Sequence, residues 1–482
     1  MKPVRVALIS SPLTEEERYG AFSGAGSSQP TFALVCLGAV AQQENADVFL
    51  LDASAKGLTV EETVEEVAAF SPDIVGISST TAGIVASGDL ARLIKKACPT
   101  VTTLIGGPHV TAIPNETLEE FGGFDIAVIG EGELTFGEIL ASQRDNGAIN
   151  DTIPGTVVRR DGVIVMNVPR APIESLDNLP LPAWGLLSGF PEAYRPSPMK
   201  IHRFPCATVV LARGCPNRCT FCDRSVFGNR IRSYSPDYVI AMIRDLQENY
   251  GVREILIEDD TFVISKQRVG ELCQRLIDEN IDISWSCLGR ADRVKPDLLK
   301  LMKRAGCWHI SYGVESGDPD ILASVGKGER ISHIVDAVKW SHDAGIRTKG
   351  FFMVGFPGET QESIRLTQKL ALDLALDDIS VMQLTPFPGS DIYRTAESQG
   401  TFDRDWRKMN ILTTVFVPHC FTKESLEAAR SSILKAFYFR PRIIMTKLVD
   451  IIKRPRLIPY MARSFVTLVN VIRSVGKDRS SE

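Results

Sequence analysis

Three cysteines carry the first chemical signal in this chain. Cys215, Cys219 and Cys222 lie at spacings of four and three residues within Leu211-Ala-Arg-Gly-Cys-Pro-Asn-Arg-Cys-Thr-Phe-Cys-Asp-Arg224. The Gly-Cys-Pro-Asn turn directly follows the strand-like Thr208-Val-Val-Leu-Ala, so the loop can fold three sulfurs inward onto one metal centre. An iron–sulfur cube normally takes four thiolates; three on one loop leave one iron open to a small molecule, which suggests chemistry rather than storage. A zinc ion would need a fourth Cys or His at ligand spacing, and the nearest, Cys206 and His202, lie across the preceding strand. The last reading is plain packing, to which cysteines contribute least in a loop. The remaining cysteines, Cys36, Cys98, Cys273, Cys287, Cys307 and Cys420, stand alone and read as core.

The chain around this loop has 482 residues, 44% of them hydrophobic, and a formal net charge of −5. That is enough to bury a core in each of two or three domains and gives no general electrostatic reason to bind nucleic acid. Ten cysteines without secretory spacing, behind a start too short in apolar residues for a signal sequence, point to a reducing compartment, the cytoplasm. No apolar run approaches the length of a spanning helix.

Helical and strand-like segments alternate through the first 142 residues. Strands are expected at Val4–Ser10, Ala46–Asp52, Asp73–Ser79, Thr102–Gly107 and Asp125–Gly130, with helices between them, which gives a doubly wound, Rossmann-like α/β sheet. Ligands of such sheets sit beyond the carboxyl ends of the strands. The loops there are small or polar throughout: Ser10-Ser11-Pro12, Asp52-Ala53-Ser54, Ser78 to Thr81, Gly106-Gly107-Pro108-His109 and Gly130-Glu131-Gly132-Glu133. Candidate ligand contacts are therefore Ser79, Thr80, Gly106, Gly107, His109, Gly130, Glu131 and Gly132. Ordinary tight turns are the alternative for any one loop; five together argue for a ligand.

Cys215-x3-Cys219-x2-Cys222, with the aromatic Phe221 before its last cysteine, resembles the cluster loop of the radical S-adenosylmethionine (radical SAM) enzymes. The first half, with Gly-Gly-Pro-His and Gly-Glu-Gly-Glu at strand ends, resembles the cobalamin (B12)-binding domain that precedes the barrel in one branch of that family. The resemblance implies a [4Fe–4S] cluster on Cys215, Cys219 and Cys222, S-adenosylmethionine on its open iron, and cobalamin in the first domain. It also implies a flavodoxin or ferredoxin as electron donor. The Asp-x-His-x-x-Gly signature that supplies a cobalt ligand in methionine-synthase-like domains is missing, since no histidine lies between Ser10 and Thr31. His109 is then expected as a wall of the cofactor pocket rather than a ligand.

Asp161-Gly162 between two alternating runs signals a hairpin, and the proline-rich stretch to Pro205 reads as an ordered linker. From Phe204 to Ser390 strands and helices alternate again. Six or so strands suggest a parallel barrel open at about three-quarters of a full one, as in the family, with its chemistry at the strand carboxyl ends. The expected division is 1–150, a hairpin and linker over 151–203, a barrel over 204–395 and a helical, basic region over 396–482. At the barrel strand ends the resemblance assigns Glu258 and Asp259 to the methionine amino group. Arg290 is suited to the methionine carboxylate, Glu315 to the ribose hydroxyls, and Phe356-Pro357 to the adenine. An interstrand ion pair is the alternative for Arg290 and Glu315.

The last stretch pairs aromatic residues with Arg440, Arg442, Lys447, Lys453, Arg454, Arg456 and Arg463. It reads as a solvated basic face, or as a surface for an anionic substrate or a membrane approached from the side. The resemblance implies a cobalamin-dependent methyltransferase acting on an unactivated carbon of a small-molecule or lipid-like substrate, hydrophobic or anionic. An oxidative cyclase or ring-rearranging enzyme is the alternative. A transfer-RNA methylthiotransferase would carry a second cysteine trio, and Cys36 and Cys98 do not form one.

Overall fold

The computed structural model describes residues 2–469, apart from 27, 195, 197–199, 454–457, 460, 461, 464 and 468. Strands β1 (Arg5–Ser10), β2 (Asp47–Asp52), β3 (Ile74–Ser78), β4 (Thr102–Gly106) and β5 (Ile126–Val128) form a parallel sheet in the order 2-1-3-4-5. The hairpin β6 (Thr156–Arg160) and β7 (Val163–Met166) continues this sheet antiparallel beyond β5. It therefore belongs to the first sheet rather than to the linker. Helix Phe32–Gln43 and helix Gly132–Asn146 pack together on one face, while helices Val60–Phe70 and Ile84–Ala97 pack on the other.

The linker is an interface in its own right. Leu176, Leu179 and Trp184 are buried in a core that runs from β1 of the first sheet into the barrel, and Trp184 stacks on Phe190 at 4.9 Å. After it, β8 (Cys206–Val209) is followed by a short antiparallel pair, β9 (Ala212–Arg213) and β10 (Arg232–Ser233). Strands β11 (Glu254–Ile257), β12 (Ser284–Gly289), β13 (Cys307–Glu315), β14 (Arg347–Val354) and β15 (Asp378–Gln383) complete a parallel six-stranded sheet with β8 at its edge. This is the partial barrel expected.

Local signals explain the helices between these strands. In helix Lys266–Asp278 the buried residues Val269, Leu272, Cys273 and Leu276 recur at three- and four-residue intervals, and Ser265 caps the start by accepting from the Arg268 amide. Helix Pro236–Tyr250 has Ser235 as its cap, proline in its first turn, and Gly251 at φ 62° ending it. The chain then returns to the first module. Trp406 donates to Glu120 at 3.1 Å and Asn410 donates to the Glu17 carbonyl at 2.8 Å.

Candidate active site

The cysteine loop is an excursion closed at its base by β9 and β10, with Arg213 opposite Arg232. Gly214, at φ 88°, starts it where a Cβ would lie 2.3 Å from the Arg230 carbonyl oxygen, so only glycine fits. Its amide donates to Asp260 at 3.2 Å, the Cys215 amide to the Gly228 carbonyl, and the Thr220 amide to the Val325 carbonyl at 3.0 Å. Asn217 Nδ2 donates to the Cys215 sulfur at 3.1 Å, with Thr261 Oγ1 at 3.5 Å. Cys215 and Cys219 are half-buried and Cys222 is exposed. A cube distributes three thiolates over three irons, so its donors are spaced apart. Among the described residues no three of His, Cys, Asp or Glu gather on one ion. Burial, partly offset by Lys327 and Arg290, raises the Cys219 thiol above its ordinary pKa, so a thiolate there calls for a cationic partner.

The barrel strand ends differ from the sequence reading in which carboxylate does what. Asp259 is fully buried, accepts from the Leu211 amide at 2.5 Å and lies 4.0 Å from Arg268; burial pushes its carboxyl up to about 7. It ties the ends of β8 and β11 together and is shut away from any ligand. Glu258 pairs with Lys200 at 3.3 Å. Asp260, the last carboxylate of the Glu258-Asp259-Asp260 run, is the one that reaches the cluster loop. Arg290 is engaged by Asp292 (3.0 Å) and the Lys327 carbonyl (2.8 Å), and Glu315 by Lys327 (2.8 Å), with Glu329 beside both cations. Arg290 and Glu315 are both ion-paired, but their partners lie on the loops, so the pairing is not the interstrand one expected. Glu315, at φ 63°, keeps one buried oxygen without a hydrogen-bond partner. Phe221 packs on Phe356 with ring centroids 5.8 Å apart, and Pro357 follows on the half-buried turn.

The first module faces this loop across a cavity of about 390 Å³. Its walls are Leu8, Gly76 to Ser78, Gly106, Gly107 and Gly130 to Glu133 from the first sheet and its strand ends, Phe32 to Leu37 in part, and Arg213, Asp223 to Gly228 in part, and Asp260 from the barrel. At Gly106 a Cβ would meet nothing closer than the Val128 carbonyl at 3.9 Å, so this strand end opens onto free space. A largely apolar recess floored by glycines, at the end where ligands of such sheets bind, suits a broad flat macrocycle. Gly107 is different. At φ 112° its Cβ would lie 2.4 Å from the Ser79 carbonyl oxygen, so its bareness serves the approach of β3 and β4. Ser79 and Thr80 are spent on that same junction and do not line the cavity. Nor does His109, which is buried against Trp406 (4.9 Å between rings) and Thr81; burial lowers its pKa to about 4, so it stays neutral.

Glu131 turns out to be the hub of a buried ion-pair network between the modules. It receives Arg213 at 3.1 Å, Arg232 at 2.8 and 2.7 Å and the Ile173 amide at 2.7 Å, while Glu133 takes the other arm of Arg213 at 2.6 Å. Arg213 immediately precedes Gly214-Cys215, so the first module's Gly-Glu-Gly-Glu fixes the root of the cluster loop. Sequence reasoning passed over Arg213, Arg232 and Lys327. Gly326-Lys327-Gly328, with both glycines at positive φ, was the available hint for the last.

Fold and site define a two-module cofactor enzyme, in which a partial barrel with a three-cysteine loop faces a doubly wound sheet across one cavity. The family model of the radical SAM superfamily matches residues 209–371, and that of the B12 binding domain matches residues 22–140. An uncharacterized methyltransferase of Pyrococcus horikoshii is 32% identical over 463 residues, which cover 94% of this chain and 97% of that one. The anaerobic magnesium-protoporphyrin IX monomethyl ester cyclase of Rubrivivax gelatinosus is 28% identical, over 86% of this chain and 74% of its own. In fold, the chain is similar to the solved cobalamin-dependent S-adenosylmethionine radical enzyme OxsB, with a TM-score of 0.72 at 16% identity over 98% of this chain and 75% of that one. The chain belongs to the cobalamin-dependent radical SAM enzymes. Its cofactors are a [4Fe–4S] cluster, S-adenosylmethionine and cobalamin. The three-cysteine loop fits the first, and the glycine-floored cavity fits the last. Among the described residues no helix is long and apolar enough to cross a membrane.

Proposed function

We propose that this enzyme methylates an unactivated carbon of a small molecule, hydrophobic or anionic. The observation that carries the reading is a cavity walled on one side by the strand ends of the B12-binding module and on the other by the cluster loop. When bound, the cluster and S-adenosylmethionine supply a hydrogen-abstracting radical, and cobalamin supplies a transferable methyl group.

The chain's own residues position and enclose. Asp260 holds the loop through the Gly214 amide, and the Glu131 network fixes the distance between the modules. The free oxygen of Glu315 would accept from a ribose hydroxyl and Phe221 and Pro357 would flank the adenine, while Arg290 and Lys327 are held in place by Asp292, Glu315 and Glu329. Glu258, tied to Lys200 at the strand end, is available to the methionine amino group on exchanging that partner. The thiol of Cys36, buried in the cavity wall and raised in pKa by that burial, stays protonated and inert. A flavodoxin or ferredoxin in a reducing cytoplasm supplies electrons.

Similarity to the Rubrivivax cyclase gives the alternative, oxidative ring closure. Anaerobic turnover with S-adenosylmethionine carrying a deuterated methyl group separates the two. Methyl transfer places the label in the product and yields both 5′-deoxyadenosine and S-adenosylhomocysteine. Formation of 5′-deoxyadenosine with an oxidised, unlabelled product would overturn the proposal in favour of cyclisation.

A further inference from the structure

Helix Pro441–Lys453 carries its apolar face outward. At about 100° per residue, Ile444, Met445, Leu448, Val449 and Ile452 fall within one arc of roughly 140°. They are 43, 59, 46, 41 and 77% exposed. The opposite side faces the barrel through Ile443, which is buried, and through ions: Asp450 binds Arg347 at 2.9 Å and Lys447 lies 3.8 Å from Asp378. A surface helix of a globular protein ordinarily does the reverse, burying its apolar stripe and showing its charges to water. Beyond it, the exposed Ile458, Phe465 and Val466 enlarge the apolar surface.

Charge says what this surface meets. Between residues 439 and 469 the sequence holds seven Lys or Arg and a single acid, Asp450, in a chain whose net charge is −5. Arg442 and Lys453 are exposed at the border of the apolar arc, and Arg463 is exposed beyond it. Arg454 and Arg456 lie outside the described residues. We infer that this helix docks the enzyme on an anionic lipid surface, with Ile444, Met445, Leu448 and Ile452 entering the headgroup boundary and the basic residues meeting phosphate. A second copy of the chain is disfavoured, because two-fold pairing would oppose two strongly basic surfaces. The chain's own residues 470–482 offer only Val471, Ile472 and Val475 as aliphatic cover.

Co-sedimentation of the full-length, cofactor-loaded enzyme tests this, using vesicles of phosphatidylcholine alone and of phosphatidylcholine with phosphatidylglycerol. Binding is expected to favour the anionic vesicles, by about fivefold for each basic residue that reaches the surface, and to weaken with salt. Met445→Glu combined with Leu448→Glu is expected to lower partition by roughly tenfold or more, with cobalamin content and 5′-deoxyadenosine formation unchanged. Equal binding to both vesicles, or partition unaffected by the double substitution, would overturn the inference. So would a dimer in solution that the same substitution converts to monomer, which would identify the occupant as a second copy.

Discussion

Replacing Glu131 by glutamine removes one charge from the network between the modules and changes almost no volume. The carboxylate is 4% exposed and serves Arg213, Arg232 and the Ile173 amide together. After substitution Arg213 keeps Glu133 at 2.6 Å, while Arg232 is left with the carbonyls of Ile173 and Phe227. Breaking a buried pair by removing one partner costs about 3–5 kcal/mol, and the retained Glu133 places this case near 3 kcal/mol. Because the contacts are buried, added salt should restore little. The assay is denaturant unfolding of holoenzyme followed through both protein fluorescence and cobalamin release. The cobalamin transition is expected to move to lower denaturant. The companion variant Glu131→Met with Arg232→Met removes both charges and should recover much of the loss, since apolar replacement of a buried pair is often neutral. A single substitution within about 0.5 kcal/mol of the parent would refute the account, as would a double substitution as damaging as the sum of its parts.

Gly106→Leu, which projects into the cavity without backbone strain, should lower cobalamin occupancy and methylated product while leaving 5′-deoxyadenosine formation intact; Cys219→Ala should abolish both. Equal loss of radical formation in a folded, cluster-loaded Gly106 variant would contradict the division between modules. Iron analysis after reconstitution should find no cluster when Cys215, Cys219 and Cys222 are all alanine. His109, with its pKa lowered from 6.5 to about 4 by burial, contributes stability that is complete above about pH 6.5 and is lost as pH falls through 4, at most about 3 kcal/mol. His109→Gln should flatten unfolding midpoints over that window, and an unchanged slope would show that His109 does not titrate as described.

The alternation of strands and helices made both sheets legible, because apolar runs bounded by strand-end loops follow directly from burial on two faces. The cysteine spacing likewise needed no tertiary information. What sequence could not divide was the set of strand-end residues. Glycine marks a close approach without naming what approaches: at Gly106 it is open cavity, and at Gly107 it is the Ser79 carbonyl. The run Glu258-Asp259-Asp260 shows the same limit. Successive positions leaving β11 send one carboxylate to Lys200, one into the core and one to the cluster loop, and only the register of β11 against β8 decides which. Glu131, expected as a ligand contact, does line the cavity; its second role was hidden because its arginine partners lie 82 and 101 residues away.

The return of Trp406 and Asn410 to the first module bears on the order in which the protein is made. Their partners Glu120 and Glu17 lie 286 and 393 residues earlier in the chain. Domains fold largely as units while the ribosome is still adding residues, so the first sheet can form long before these contacts are available. Through that interval His109 has no indole against it, and the barrel that supplies the other wall of the cavity is itself incomplete. The sheet that forms one wall of the cavity is therefore complete before the opposite wall arrives, and Trp406 and Asn410 close a module that was synthesised first.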